Sequence, residues 1–178
     1  MTINPRALML AIAIPLSASI LAESLTVETV SPSHSGKSDI LTSLVTDWSA
    51  HFSRLYPDTT LRVLDTDAAN ALLSLGEGAA DISPMSQAIE DAELKAFTRR
   101  FGYEPTPVKV AIAPQDKRDS SSRFLYVYVN KQPAKPLAEP ESQFVKLILS
   151  RLGQEAVASS GYEPIPESVV HAELEKIL

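Results

Sequence analysis

The sequence alternates short strand-like runs with longer helix-like runs, and this alternation constrains its fold more than any other feature. Strands that alternate with helices at this spacing predict a mostly parallel sheet flanked by helices, which is an α/β fold. The strand-like runs are 25–30, 61–64, 80–83, 108–112 and 124–129, and the helix-like runs are 41–55, 68–75, 90–101, 140–150, 153–159 and 169–178.

The first 22 residues differ from the rest of the chain. Arg6 precedes an apolar run from 7 to 16, small residues follow at 17–19, and Ala22 precedes the first acidic residue, Glu23. A positive start, a short apolar stretch and small residues are typical of a secretory signal peptide. We therefore expect a signal peptide over 1–22, cleavage after Ala22, and a single α/β domain over 23–178 in the periplasm. An uncleaved N-terminal anchor is the alternative.

Composition excludes several classes of function. The chain has 178 residues, no cysteine and a formal net charge of −6, which becomes −7 when the segment carrying Arg6 is removed. The absence of cysteine excludes disulfides, thiol nucleophiles and cysteine-based metal sites. An acidic surface does not favour nucleic acid, which binds basic patches.

One candidate anion site lies at the start of the clearest predicted helix. The loop Ser35-Gly36-Lys37-Ser38-Asp39 follows a strand and opens this helix, whose free N–H groups and positive end favour an anion. Hydroxyl groups there can donate, and Asp39 can accept the proton of a protonated oxyanion. The alternative is an ordinary helix start capped by Ser38 or Asp39.

Ser86 is a second candidate. The run Pro84-Met85-Ser86 follows a short predicted strand and precedes a helix. The Ser86 hydroxyl group can donate to a ligand or cap the following helix, and the sequence alone does not decide between these two roles.

The sequence gives little support for a catalytic site. The histidines, at positions 34, 51 and 171, are scattered, and only His34 has a serine and an aspartate near it in sequence. Gly36-Lys37-Ser38 matches the end of a phosphate-binding loop, but Ser31 stands where that pattern requires glycine. No histidine or carboxylate pair has metal-ligand spacing. We therefore expect no enzyme activity, no metal and no cofactor.

The order of short motifs along the chain is more specific than any single motif. The motifs are Gly36-Lys-Ser-Asp39, Asp47-Trp48, Tyr56-Pro57, Gly76-Glu-Gly-Ala-Ala-Asp-Ile82, Pro84-Met-Ser86, Phe101-Gly-Tyr-Glu-Pro105, Val108-Lys-Val-Ala111, 124–131, 136–137, 149–155, Gly161-Tyr162 and Pro164-Ile-Pro166. Their order over 25–166 resembles that of the periplasmic phosphate-binding proteins of ABC transporters, which have two lobes and a hinge.

The departures from this family are as informative as the matches. In the family, a complete second lobe separates the segments that resemble 108–113 and 124–131, and here a linker over 114–122 joins them. The resemblance thus implies one lobe made from an N-terminal piece, 23–113, and a C-terminal piece, 123–178. Gln87 stands where the family commonly has an arginine.

The resemblance implies few ligand-binding residues. Ser38, Asp39 and Ser86 carry over, with Thr66 as a weaker candidate. Aspartates at 65 and 67 would repel an anion unless they point away from it.

The expected function follows from this reduced site. We expect phosphate or a similar small oxyanion to bind weakly, or only with a partner, and an ABC transporter or an envelope protein as partner. The alternative is a protein–protein interaction or homodimerisation module that has lost its ligand, because the missing lobe would leave the binding face exposed.

Overall fold

The computed structural model describes residues 23–30, 38–86, 88–113 and 124–178, and for Val30, Ser38, Asp39 and Ala68 it describes the backbone alone. The predicted signal peptide and the linker over 114–122 lie outside the described residues. No helix in the described ranges combines the length and apolar character needed to cross a membrane.

The described chain has five strands and six helices, in the order that the sequence predicts. Strands and helices alternate through the first seven elements, then a second strand follows directly and three helices end the chain. The strands are β1 (Ser24–Val30), β2 (Thr60–Thr66), β3 (Ile82–Met85), β4 (Thr106–Ile112) and β5 (Phe124–Val129). The helices are α1 (Ser38–Leu55), α2 (Ala68–Glu77), α3 (Asp91–Phe101), α4 (Glu139–Leu149), α5 (Arg151–Ser159) and α6 (Glu167–Ile177).

The strands form one sheet in the order β2-β1-β3-β5-β4. β1 pairs in parallel with β2 and β3, whereas β5 is antiparallel to both of its neighbours, β3 and β4. The sheet is therefore mostly parallel with one reversed strand. Phe124–Val129 lies inside the sheet, and three of its last four residues, Val127, Tyr128 and Val129, are among those buried.

Helices cover both faces of the sheet, and each face has its own apolar core. The larger core packs α1, α4, α5 and α6 against one face, with Trp48, Phe52 and Phe144 as its largest buried side chains. The smaller core lies under α2 and α3 and includes Leu75 and Phe97. A sheet covered on both faces is typical of the α/β class.

The apolar side chains that recur every three or four residues along α1 are buried except at its end. Those at 41, 44, 45, 48 and 52 are at most 1% exposed, whereas Leu55 is 56% exposed. Leu55 is the last residue of the helix, two residues before Pro57, so it has passed the edge of the core.

The N-terminal and C-terminal pieces share one core. The Trp48 indole N–H donates to the Gly153 carbonyl over 3.0 Å, and the rings of Phe52 and Phe144 pack edge to face at 5.2 Å. Both contacts join α1 to helices of the C-terminal piece. Since β5 also lies between β3 and β4, neither piece has a complete sheet without the other.

Candidate functional site

The candidate site lies where the first three strands end. β1 ends at Val30, β2 at Thr66 and β3 at Met85, with Ser86 directly after it. Val30 pairs with Thr66, and Val27 pairs with Ile82, so these ends meet at one edge of the sheet. In open α/β sheets, ligands bind beyond this carboxyl edge, beside helix N-termini.

Helix α1 begins at this carboxyl edge, with Ser38 as its first residue. The side chains of Ser38 and Asp39 lie outside the described residues, as does the loop over 31–37. Their roles as hydroxyl donor and proton acceptor therefore stay predictions. The position of the helix start agrees with an anion site there, because its first N–H groups have no partner within the helix.

Thr66 and Ser86 lie on opposite sides of β1, and both are half-buried. Adjacent strands are about 4.8 Å apart, so about 10 Å separates the strands that carry these two hydroxyl groups. A small anion contacted by both would have to sit over the end of β1. The structure thus brings Thr66, Ser86 and the start of α1 to one edge, whereas no described contact joins them.

The N-terminus of α2 is capped by Asp67. Asp67 Oδ1 accepts from the Asn70 backbone N–H over 2.9 Å, and Oδ2 accepts from the Asn70 side-chain amide over 2.8 Å. The carboxylate of Asp67 therefore stands where an anion would bind at this helix end. It turns toward its own helix, but its charge remains at the carboxyl edge.

Helix α3 leaves Ser86 unused as a cap. This helix begins at Asp91, its N-cap is Glu90, and Glu93 accepts from the Glu90 backbone N–H over 3.2 Å. The capping alternative for Ser86 is therefore wrong, because four residues separate it from the helix start. Its hydroxyl group remains a candidate donor at the end of β3.

The described histidines form no catalytic arrangement. His51 lies in the interior of α1 and is half-buried, and His171 is exposed on α6 with Glu167 3.9 Å away. His34 lies outside the described residues. Within the described ranges, no group of three or more histidine or acidic side chains could hold a metal ion.

Sequence reasoning missed two buried polar side chains next to the candidate site. Glu28 in β1 is 8% exposed and Ser83 in β3 is 0% exposed. The signal was present, because any charged residue in a strand covered on both faces is buried wherever it points.

No family model matches the chain. A curated protein named phosphate-binding protein PstS, from Pseudomonas aeruginosa, is 23% identical over an aligned stretch of 274 residues, gaps included, that covers 79% of this chain and 85% of the relative. Because the matched stretch is longer than the whole 178-residue chain, part of the relative has no counterpart here. This difference is consistent with a missing internal segment.

Solved structures with names that refer to phosphate binding have a similar fold. A possible phosphate binding protein from Planctomyces limnophilus matches with a TM-score of 0.66 and 12% identity, covering 88% of this chain and 98% of that one. A putative phosphate ABC transporter substrate-binding protein with bound phosphate, from Clostridium perfringens, matches with a TM-score of 0.57 and 10% identity over 81% and 100% of the two chains. The chain therefore has a periplasmic-binding-protein-like fold, and its single five-stranded sheet is consistent with one lobe.

Proposed function

We propose that this chain is a periplasmic solute-binding module of the phosphate-binding type, reduced to one lobe. It binds phosphate or a similar small oxyanion weakly, or tightly only when a partner covers the site. The single observation that carries the proposal is the meeting of Thr66, Ser86 and the start of α1 at the carboxyl edge. The similarity to proteins named for phosphate binding supports the choice of ligand.

Weak affinity is expected because one lobe cannot enclose the anion. In a closed two-lobe site, hydrogen bonds act at low dielectric and water is excluded. An open edge leaves the anion hydrated on one side, and Asp67 adds a repulsive charge. We expect a dissociation constant on the order of millimolar, or about −4 kcal/mol.

Calorimetry with inorganic phosphate tests this affinity. The chain lacking residues 1–22, which contains every described element, is titrated as a monomer, and the Ser38→Ala and Ser86→Ala variants are expected to weaken binding several-fold. Thr98→Ala is the control, because the Thr98 hydroxyl donates within α3, away from the edge. Micromolar or tighter binding by a monomer would contradict the one-lobe argument. Equal affinities in all variants would show that Ser38 and Ser86 do not contact the ligand.

A partner that covers the site would be a component of an ABC transporter or another envelope protein. Such a partner would take the place of the absent lobe and supply the donors that this chain lacks. Export by the N-terminal segment over 1–22 is part of the same proposal, and mass spectrometry of the secreted chain would identify the cleavage point.

A second function is favoured by the edge strand β2. This strand pairs only with β1, so one row of its backbone groups lies at the edge of the described sheet. Its side chains Val63 and Leu64 are 39% and 48% exposed. Free strand edges with exposed apolar side chains pair readily with another chain. In this alternative the module dimerises, or binds a protein partner, and has lost its ligand.

Gel filtration separates the two functions. A monomer at micromolar concentration that binds phosphate supports the solute-binding module. A dimer that the substitution Leu64→Lys converts to a monomer, together with no detectable phosphate binding in either form, would support the interaction module instead.

A further inference from the structure

Glu28 and Ser83 form a buried polar pair on the inner strands of the sheet. Val27 pairs with Ile82 in the parallel ladder of β1 and β3, so the next residues along the two strands, Glu28 and Ser83, are neighbours. Adjacent strands lie about 4.8 Å apart, and paired residues point to the same face. The two side chains therefore lie next to each other.

The pair lies on the face covered by α2 and α3. Val27 and Ile82 belong to the larger core on the opposite face, and side chains alternate along a strand. Met85, two residues after Ser83, belongs to the smaller core, as does Tyr128, which pairs with Ser83 from β5. Glu28 and Ser83 are thus polar groups within the floor of the smaller core.

Both side chains have an oxygen atom without a hydrogen-bond partner. Glu28 Oε2 and Ser83 Oγ are buried, and neither meets a donor or acceptor among the residues that the structure describes. Burying a carboxyl oxygen and a hydroxyl group without partners costs free energy. Two such atoms side by side indicate a shared partner that is not part of the described chain.

The chemistry of the pair defines this partner. Glu28 Oε2 requires a donor, and Ser83 Oγ can donate or accept. Asp65 and Asp67 add negative charge at the carboxyl edge, one and three residues beyond Leu64, which is the strand partner of Glu28. Glu28 is 8% exposed and Ser83 is 0% exposed, so a partner shared by both has to be small. A primary ammonium group has a positive charge, several N–H donors and a small size.

We propose that Glu28 and Ser83 form a subsite for a primary ammonium group. The group enters below the carboxyl edge, where its N–H groups donate to Glu28 Oε2 and to Ser83 Oγ. This subsite is separate from the oxyanion position at the start of α1, and it stands or fails independently of phosphate binding.

Thermal unfolding of the chain lacking residues 1–22 tests the subsite with methylammonium chloride as the probe. Tetramethylammonium chloride is the matched probe, because it has the same charge and no N–H donor. Ligand that binds only the folded state raises Tm in a saturable manner, and we expect a rise on the order of 2 °C with methylammonium alone. The substitution Glu28→Gln removes the charge at nearly constant shape and should abolish the rise, and Ser83→Ala should reduce it.

Glu175→Gln is the control variant, since Glu175 is exposed on α6 and should leave the rise unchanged. Equal rises with the two probes, or an equal rise in Glu28→Gln, would overturn the proposal. A crystal structure at high methylammonium concentration with only water between Glu28 and Ser83 would overturn it as well. Absence of phosphate binding together with a methylammonium-specific rise would refute the oxyanion site and leave the ammonium subsite supported.

Discussion

Ile112, the last residue of β4, pairs directly with Phe124, the first residue of β5. The two strands are antiparallel, so the end of one lies beside the start of the other and a short connection can join them. In the two-lobe proteins that the sequence resembles, the corresponding segments lead into and out of the second lobe. A lobe can therefore be absent at this point while the remaining sheet keeps its strand order.

This geometry predicts that the linker has no specific sequence requirement. Replacing residues 114–122 with a Gly/Ser segment of the same length should change the free energy of unfolding by less than about 1 kcal/mol, because loop closure depends weakly on composition and length. Urea denaturation followed by circular dichroism measures the change. Loss of cooperative unfolding would show that the linker contributes structure of its own.

Trp48 should be among the most sensitive positions for stability. The substitution Trp48→Phe removes the donor to the Gly153 carbonyl and leaves a space in the core between α1 and α5. We expect a loss of about 2–4 kcal/mol from the unpaired carbonyl and the cavity together. Leu55→Ala on the same helix is the control, and its exposed side chain should cost less than about 1 kcal/mol. Similar losses for both variants would contradict this difference.

Two helical glycines should respond differently to alanine. A Cβ atom at Gly153 would lie 2.3 Å from the backbone carbonyl oxygens of Leu147 and Ile148, whereas one at Gly76 would meet the side-chain ring of Phe101 at 2.2 Å. The carbonyl groups near Gly153 belong to the backbone between two packed helices and cannot shift easily, whereas the Phe101 ring near Gly76 can rotate away. Although alanine favours helix by about 1 kcal/mol, we expect Gly153→Ala to destabilise by about 2–3 kcal/mol and Gly76→Ala by less. Chemical denaturation of both variants measures the order, and the reverse order would contradict the packing.

Stability should fall as the pH rises through about 6, because burial, together with the neighbouring Asp81, raises the pKa of Glu141. Burial raises the pKa of Glu141 to about 6 from an ordinary value of 4.5, and the neighbouring Asp81 contributes to the increase against the hydrogen bond from the Ala138 N–H. Burial likewise raises the pKa of Asp81, whose Oδ2 accepts from the Thr26 N–H over 2.6 Å. The stabilisation from the proton on Glu141 is complete below pH 4.5 and is lost as the pH passes 6.

The size of this effect is at most about 2 kcal/mol, and screening by solvent reduces it to about 1 kcal/mol. The substitution Glu141→Gln should remove this part of the pH dependence, and it keeps an acceptor for the Ala138 N–H. Glu139→Gln, at an exposed position on the same helix, should leave it intact. Denaturation between pH 4 and pH 8 compares the three chains, and parallel curves would show that the Asp81–Glu141 contact does not titrate there.

Removing the charge of Asp67 should strengthen oxyanion binding. Asp67→Asn keeps a side-chain cap for α2 but removes the carboxylate at the carboxyl edge. We expect phosphate affinity to rise by about 3–10-fold, since 1.4 kcal/mol corresponds to tenfold. Calorimetry at low ionic strength measures it, with Asp91→Asn at the exposed start of α3 as control. Unchanged affinity in Asp67→Asn would place the anion away from α2.

The sequence predicts most elements because their patterns are local. The aromatic and β-branched run of β5 has the predicted bounds, and the caps Asp67 and Gly102 mark the ends of their helices. The reversal of β5 could not be predicted from its residues, because a buried strand has the same composition in either direction. β3 was placed two residues too early, at 80–83, since Ala80 and Asp81 precede the ladder and only Ile82 begins it.

The candidate site was less predictable than the fold. Motif position indicates which residues reach the carboxyl edge, and Thr66 and Ser86 lie there as expected. Whether polar side chains inside the sheet have partners depends on the register between β1 and β3, which no local pattern contains. Glu28 and Ser83 could therefore be recognised only from the assembled strands.

The position of β5 between β3 and β4 affects the order in which the sheet can form while the chain is being synthesised. The first three strands can assemble as soon as they emerge, but β4 has no hydrogen-bonded neighbour until β5 follows it. During that interval an unpaired strand with buried-type residues such as Val108 and Val110 is exposed to other chains. Only residues 113–123 separate β4 from β5, so this interval is short and the chain has little time to aggregate before β4 is paired.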